Sequence, residues 1–433
     1  MRAILAGRAP ELLLTALFVA LVAPVIAAGG TGTAGYEDER VYHGRTVVEL
    51  AADLPSPDLE NIHTATTPGL HLVTAVFVRL VSDDRAAVEA FAALFSLAMI
   101  LVAYRLIRRY AGRWPGLFLT LPLLLSHYVL QSAAWLNTDN TAMLFILLTL
   151  GAALTVAETG RGLFLGGLWV LLGASVRQLA LWAAGPLVFA AAVAGRWIPG
   201  LREEPGGGPA ERRPSLRPLV LAGVAVIPAI AMLAAFASLW GQLTPPIAAG
   251  QSGTSPAAVP FTLALAGLFA PFFAACVATR EDLRERRALA GAAAAGALLA
   301  LAVPTSHDAT AERRTGGGLW SIVRDTPAVA DRSLTIAILA GLGAALLVVL
   351  WRAAARNAMQ RPAAVVLVAI ASVAIAQAGT VRTYQRYFEP PVIACLALLA
   401  ALAGLDRRRA TVGLGALCVL QLAGCVAVVY SAL

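Results

Sequence analysis

The amino-acid sequence predicts an all-α polytopic membrane protein of about thirteen transmembrane helices, with an outer loop carrying juxtamembrane helices. Three observations carry this prediction. The 433 residues are 59% hydrophobic and 13% charged, against about 45–50% and about 25% in soluble domains. Mean hydropathy is +0.76. Apolar runs of about 17–25 residues, the length that crosses a bilayer as a helix, recur from one end of the chain to the other.

The runs fall near 11–28, 86–104, 114–134, 140–157, 162–176, 179–195, 218–239, 259–279, 288–303, 334–351, 362–379, 390–405 and 411–431. The stretch 68–81 is apolar but only about 14 residues long, which suits an interfacial or re-entrant helix. Arg2 and Arg8 precede the first run, which is expected to be a retained span because many others follow. If the N-terminus is cytoplasmic and 68–81 does not cross, the loops Arg105–Arg113, Arg196–Arg217, Arg280–Arg287, Arg352–Arg361 and Arg407–Arg409 all fall on the cytoplasmic side, as the positive-inside rule expects. The C-terminus is then outside. Residues 1–195 are expected to form an N-terminal catalytic module with an outer loop at 29–85. A flexible, Gly/Pro-rich cytoplasmic linker spans 196–217, and 218–433 form a C-terminal transmembrane module.

Composition excludes several chemistries. All 33 basic residues are arginine, so neither a Walker-type phosphate loop nor a Schiff-base lysine exists. The net charge of +8 reflects arginines of cytoplasmic loops and not nucleic-acid binding. Cys276, Cys395, Cys418 and Cys425 lie in apolar runs and form no CxxC, so no zinc site or disulfide framework is indicated. A chain rich in Ala, Gly and Leu with no lysine fits a GC-rich bacterial genome and a bacterial plasma membrane.

This topology gathers the unusual polar residues on the extracytoplasmic face: Glu37, Asp38, Glu39, His43 and Arg45, then NIHTATTPGLH (61–71), Asp139, Arg177 with Gln178, HDATAERR (307–314) and VRTYQRYFE (381–389). A charge at the bilayer centre costs roughly 2.5–3.5 kcal/mol, so the acidic triplet sits at or beyond the interface. Three adjacent carboxylates repel one another and raise at least one pKa, which suits a proton acceptor; the alternative is a solvated loop paired with Arg40 and Arg45. Thr67 followed by Pro68 reads as an N-cap and first helical residue, a helix start able to hold phosphate. His71, one turn in, either supports that site or lies at the interface. Arg177 joins two spans too short to cross comfortably, where an arginine is most often functional or paired. Arg386 either serves the site or snorkels to the headgroups. Gly316–Gly318 reads as a hinge or a plain loop.

Five stretches resemble a known family. YEDE (36–39), TATTPGLHL (64–72), WLNTDNTAML (135–144), VRQLALW (176–182) and RYFEPP (386–391) resemble motifs of the membrane-embedded GT-C glycosyltransferases. The likeness is greatest to the dolichyl-phosphate-glucose-dependent alpha-1,2-glucosyltransferases. It departs at Tyr42, where that family has His unless His43 replaces it, at His71 for Tyr, and at Leu179–Ala180 for Thr-Asn.

The resemblance implies a GT-C-like bundle and inverting transfer of a hexose, glucose favoured, from a polyprenyl-phosphate donor to an extracytoplasmic glycan or glycolipid acceptor. Asp38 would be the base, with Glu39 or Glu37 orienting it or binding sugar hydroxyls. Asp139 would position a substrate, while Arg177, Arg386 and the helix start at Thr67 would stabilise the leaving phosphate. His43, His71, Gln178 and Tyr387 complete the expected substrate-binding set. Phosphate leaves without a general acid, and no metal or other cofactor is expected, although Asp38 with Asp139 could hold a divalent ion. The rival readings are a mannosyl-, arabinosyl- or aminoarabinosyltransferase on the same scaffold, or a transporter or lipid-carrier flippase. Transport predicts mid-span ionisable residues and related halves; here the acids gather at one face.

Overall fold

The computed structural model describes residues 2–31, 33–201, 213–251, 253–277, 279–307 and 316–430. The protein is a nearly all-helical, multi-pass membrane protein. Among the described residues its only strands are the two-residue pair Ala328–Val329 and Arg332–Ser333. Half of the expected linker, 202–212, and the charged part of 307–314 lie outside the described residues.

Among the described residues the apolar runs are largely helical, but fewer than thirteen of the helices have the length of a full span. Nine helices among the described residues are long and apolar enough to cross a membrane, the first being Arg8–Ala28 and the last Arg408–Ala427. The run 114–134 is instead a pair, Arg113–Leu124 and His127–Ala134, bent by 72°, which makes ten if counted as one span. The break has a chemical cause. Ser126 leaves the helical conformation (ψ 125°), and its hydroxyl donates to buried Glu389 at 2.8 Å. Runs 162–176 and 179–195 are also interrupted: Leu163–Val176 has 14 residues, then Arg177 is extended (φ −153°, ψ 118°) before Gln178–Ala183 and Ala184–Ala194. Arg286–Leu301 has 16 residues. At 1.5 Å per residue these reach about 21–24 Å, short of the roughly 30 Å hydrocarbon core.

Where helices touch, small residues let backbones approach, the usual device for packing in lipid. A Cβ on Gly267 would lie 1.9 Å from the Leu339 carbonyl oxygen, and one on Gly343 2.0 Å from that of Leu263. These contacts seat Ala258–Val277 against Leu334–Arg356.

The stretch 68–81 is helical and short, as its length predicts. The non-crossing stretch is the 12-residue helix Gly69–Leu80. It lies against the broken span so closely that a Cβ on Gly69 would sit 2.5 Å from the Ser175 carbonyl oxygen. Gly316–Gly318 is neither free nor a hinge. The Gln385 amide donates to the Gly316 carbonyl at 2.8 Å, and Trp320 Nε1 donates to the Thr383 carbonyl at 2.7 Å. Gly317, at φ +123°, is a position where a side chain would meet Gln385 and Tyr128.

Gly69→Ala is expected to push this helix off the broken span and lower stability by about 1–3 kcal/mol. A melting curve of the purified protein in detergent reads this as a lower midpoint.

Candidate active site

The acidic triplet lies in Ala34–Asp38 and a single π-helical turn, Glu39–His43. Successive residues of a helix point about 100° apart, so the three carboxylates diverge and each meets its own cation. Glu37 faces solvent and pairs with Arg40 at 2.8 Å. Asp38 turns into a cavity and pairs with Arg386. Glu39 turns into the core, where it accepts from Arg85 Nε at 3.0 Å and from the Leu136 amide at 2.9 Å. Arg85 also bridges to buried Glu89 at 2.8 Å. The expected mutual repulsion therefore does not arise, and neither Glu37 nor Glu39 lines the cavity. Glu39 fixes the turn that aims Asp38.

Four charged side chains from four separate segments form one chain of contacts. Arg386 binds Asp38, and its Nε lies 3.8 Å from Asp139 Oδ2. Asp139, at the N-terminus of Asp139–Thr159, binds Arg177 through its other oxygen. Arg177 stacks 4.1 Å above the centre of the Tyr387 ring, and Arg386 Nη2 donates to the Tyr387 hydroxyl at 3.0 Å. The extended conformation of Arg177 at the break of its span carries its side chain into this cluster. Arg386 is thus engaged with the site, which excludes the snorkelling alternative.

Thr67 is not an N-cap. The helix begins at Gly69 after Pro68 with no side-chain cap, and the Thr67 hydroxyl instead donates to the Ala174 carbonyl at 2.6 Å. Gln178 completes the latch: its Oε1 accepts from the Thr67 amide at 3.2 Å and its Nε2 donates to the Ala65 carbonyl at 2.9 Å. Thr67 and Gln178 together hold residues 64–66 as one wall of the cavity.

His71 does not reach the cavity. It is fully buried, and its Nε2 lies 2.9 Å from Nδ1 of His43, which does line the cavity. The rings stack at 5.1 Å and 22°. Burial, with Arg386 and Arg177 nearby, pushes His43 down to about 3. Burial and its partner likewise hold His71 well below the usual imidazole range. Both rings are neutral near pH 7.

The cavity has a volume of about 970 Å³ and draws on residues from both expected modules. Its charged lining is Asp38, Asp139, Arg177, Arg382 and Arg386, three guanidiniums to two carboxylates, a net charge of +1. Its apolar lining includes Leu233, Leu243, Ile247, Leu181 and Trp182. Arg382 was missing from the sequence-derived set. Arg177 and Arg386 are paired with carboxylates, whereas Arg382 has no carboxylate partner among the described residues and its Nε is buried without a hydrogen bond. Its signal was its place in the polar stretch VRTYQRYFE (381–389).

Two outcomes follow from this wiring. Glu39→Gln is expected to lower stability by about 1–3 kcal/mol, read as a lower melting midpoint, because the Leu136 amide and Arg85 lose their charged acceptor. Glu37→Gln should change it by less than about 0.5 kcal/mol, since its pair is exposed. The histidine pair sets a pH dependence. Unfolded histidines protonate near pH 6.5, so below that the unfolded state binds more protons than the folded one. Stability is undiminished above about pH 6.5 and falls as pH drops toward 3. Melting midpoints from pH 7 to pH 5 should fall more steeply in the wild type than in a His43→Gln/His71→Gln double variant.

Residues 65–200 match the family described as dolichyl-phosphate-mannose-protein mannosyltransferase. No curated protein matches the chain. Among solved structures, the chain is similar to an oligosaccharyltransferase from Archaeoglobus fulgidus in its apo form, at 15% identity and a TM-score of 0.43 over 98% of this chain and 55% of that one. It therefore spans only about half the length of that protein. It is also similar to ArnT from Cupriavidus metallidurans bound to undecaprenyl phosphate, at 15% identity and a TM-score of 0.39 over 94% of this chain and 77% of that one.

Proposed function

We propose that this protein is a membrane glycosyltransferase that moves a hexose from a polyprenyl-phosphate donor to a glycan or glycolipid acceptor on the extracytoplasmic face, with inversion at the anomeric carbon. One observation carries the reading: a single cavity is lined both by carboxylates and guanidiniums and by large apolar side chains. That combination matches a ligand with a phosphate-sugar head and a hydrocarbon tail. The family match over 65–200 supports it. The motif resemblance favours glucose as the sugar, while the matched family's description makes mannose the second reading.

The chemistry follows from the charges. The acceptor hydroxyl oxygen attacks the anomeric carbon, and its proton passes to Asp38. The bond between that carbon and the phosphate oxygen breaks, its electron pair going to the phosphate. The leaving group changes from a monoanionic diester to a polyprenyl monophosphate of greater negative charge. Arg382, unpaired, is the first cation available to it, and Arg177 and Arg386 add further stabilisation. As phosphate draws on Arg386, Asp38 loses a counter-ion and becomes a stronger base. Glu39 serves this reaction by aiming Asp38, and Asp139 by orienting both arginines. A divalent ion is not part of the proposal, because each cavity carboxylate already has a guanidinium against it.

Sidedness rests on charge. Asp139 opens its helix at the cavity, while Arg109 pairs with Glu158 near the other end of that helix. Arg105, Arg108 and Arg109 lie at that end of Arg85–Ala111. By the positive-inside rule that end is cytoplasmic and the cavity opens outside.

The test is transfer of radiolabelled sugar by purified protein from a panel of polyprenyl-phosphate glucose, mannose and arabinose, with membrane lipid extract as acceptor source. Transfer from one donor is expected, unaffected by EDTA. Asp38→Asn should lower it by at least about 100-fold while carrier binding persists. Arg382→Ala should weaken carrier binding about tenfold or more. Carrier binding without transfer from any donor would favour a lipid-carrier transporter instead.

A further inference from the structure

The neutral His43–His71 pair has a proton arrangement that geometry can assign. One proton lies between His43 Nδ1 and His71 Nε2, which are 2.9 Å apart. The other nitrogen of His71, Nδ1, is buried without any partner. If His43 donated, neutral His71 would carry its own proton on Nδ1 and leave a buried N–H with no acceptor, an arrangement folded proteins rarely tolerate. If His71 donates, Nδ1 is a bare ring lone pair, the less costly orphan. His71 is therefore the donor, His43 accepts at Nδ1, and neutral His43 must carry its proton on Nε2.

His43 lines the cavity, and among the described residues its Nδ1, not its Nε2, makes the hydrogen bond. Arg177 and Arg386 are near enough to disfavour a third positive charge there. The ring shares the cavity wall with Asp38. A cationic side chain in this place would bind a phosphate but would also hold the Asp38 carboxylate and weaken it as a base. A neutral N–H does the first without the second.

We propose that His71 fixes His43 as an Nε2–H donor to a phosphate oxygen of the lipid-linked donor, making His43 a ligand of the phosphate and His71 a positioning residue behind it. This rests on the glycosyltransferase reading above. The flanking arginines make the oxygen anionic rather than a sugar hydroxyl. The charged groups whose field reaches His43 are Arg386 and Arg177.

The test is binding of undecaprenyl phosphate to the detergent-purified full chain, by isothermal titration, beside a melting curve for each variant. His43→Ala is expected to weaken binding about tenfold or more, the loss of one hydrogen bond from a neutral donor to a charged acceptor. His43→Gln, whose side-chain amide can place an N–H near the Nε2 position, should restore most of it. His71→Ala, remote from the cavity, should weaken binding by a similar factor, and His71→Gln, still a donor to His43 Nδ1, should recover it. Wild-type binding in His43→Ala would overturn the proposal while leaving the transferase reading intact. So would equal loss in His71→Ala and His71→Gln with unchanged melting. No binding of the carrier by the wild type would overturn both.

Discussion

Asp38, Arg386, Asp139 and Arg177 form a linked series of opposite charges at one end of a helical bundle, and the site depends on it. Each of these groups is largely withdrawn from water, where an unpaired charge would cost several kcal/mol. Pairing makes burial tolerable, and the pairs come from segments separated by up to 348 residues in the chain. The turn after the first span, the start of Asp139–Thr159, the break at Arg177 and the approach to Glu389–Ala403 are thereby drawn to a common point. The break at Arg177 belongs to this arrangement: the residue is extended there and its guanidinium meets Asp139.

Around this series, polar residues divide into frame and chemistry. Glu39 with Arg85, Thr67 with Ala174, and Gln178 with residues 65–67 satisfy buried groups and face away from the cavity or along its wall. Glu389 performs a similar task beneath Arg386, accepting from Ser126 and Gln385. Among the described residues lining the cavity, Arg382 Nε, Arg386 Nε and Thr244 Oγ1 are buried donors without a hydrogen bond, and Arg382 is the one cavity arginine with no carboxylate against it. A site that neutralises most of its own charge and leaves few donors free is suited to a ligand bringing a single anionic group.

The membrane character and the convergence of the loops were legible in the sequence, because apolar length and arginine placement obey strong physical rules. The full count of spans was not, since run length alone does not reveal that Ser126 will exchange a helical conformation for a bond to Glu389, or that Arg177 will be extended. The roles within the YEDE stretch were half legible. Three consecutive acids suggested one shared site, but helical geometry sends neighbours in different directions, and only Asp38 reaches the cavity. Thr67–Pro68 carried the signature of a helix start, yet the hydroxyl found a better acceptor on Ala174, across 107 residues of chain. Arg382 was hidden because an unpaired cation is defined by what its neighbours do, which no local pattern records.

The most direct measurement is a cryo-electron microscopy structure of the protein with a polyprenyl phosphate bound. The account predicts phosphate density against Arg382 and His43, a tail along Leu233, Leu243 and Ile247, and Arg386 shifted from Asp38 toward the phosphate. A carrier seated elsewhere on the bundle, with the cavity empty and the Asp38–Arg386 pair intact, would contradict it.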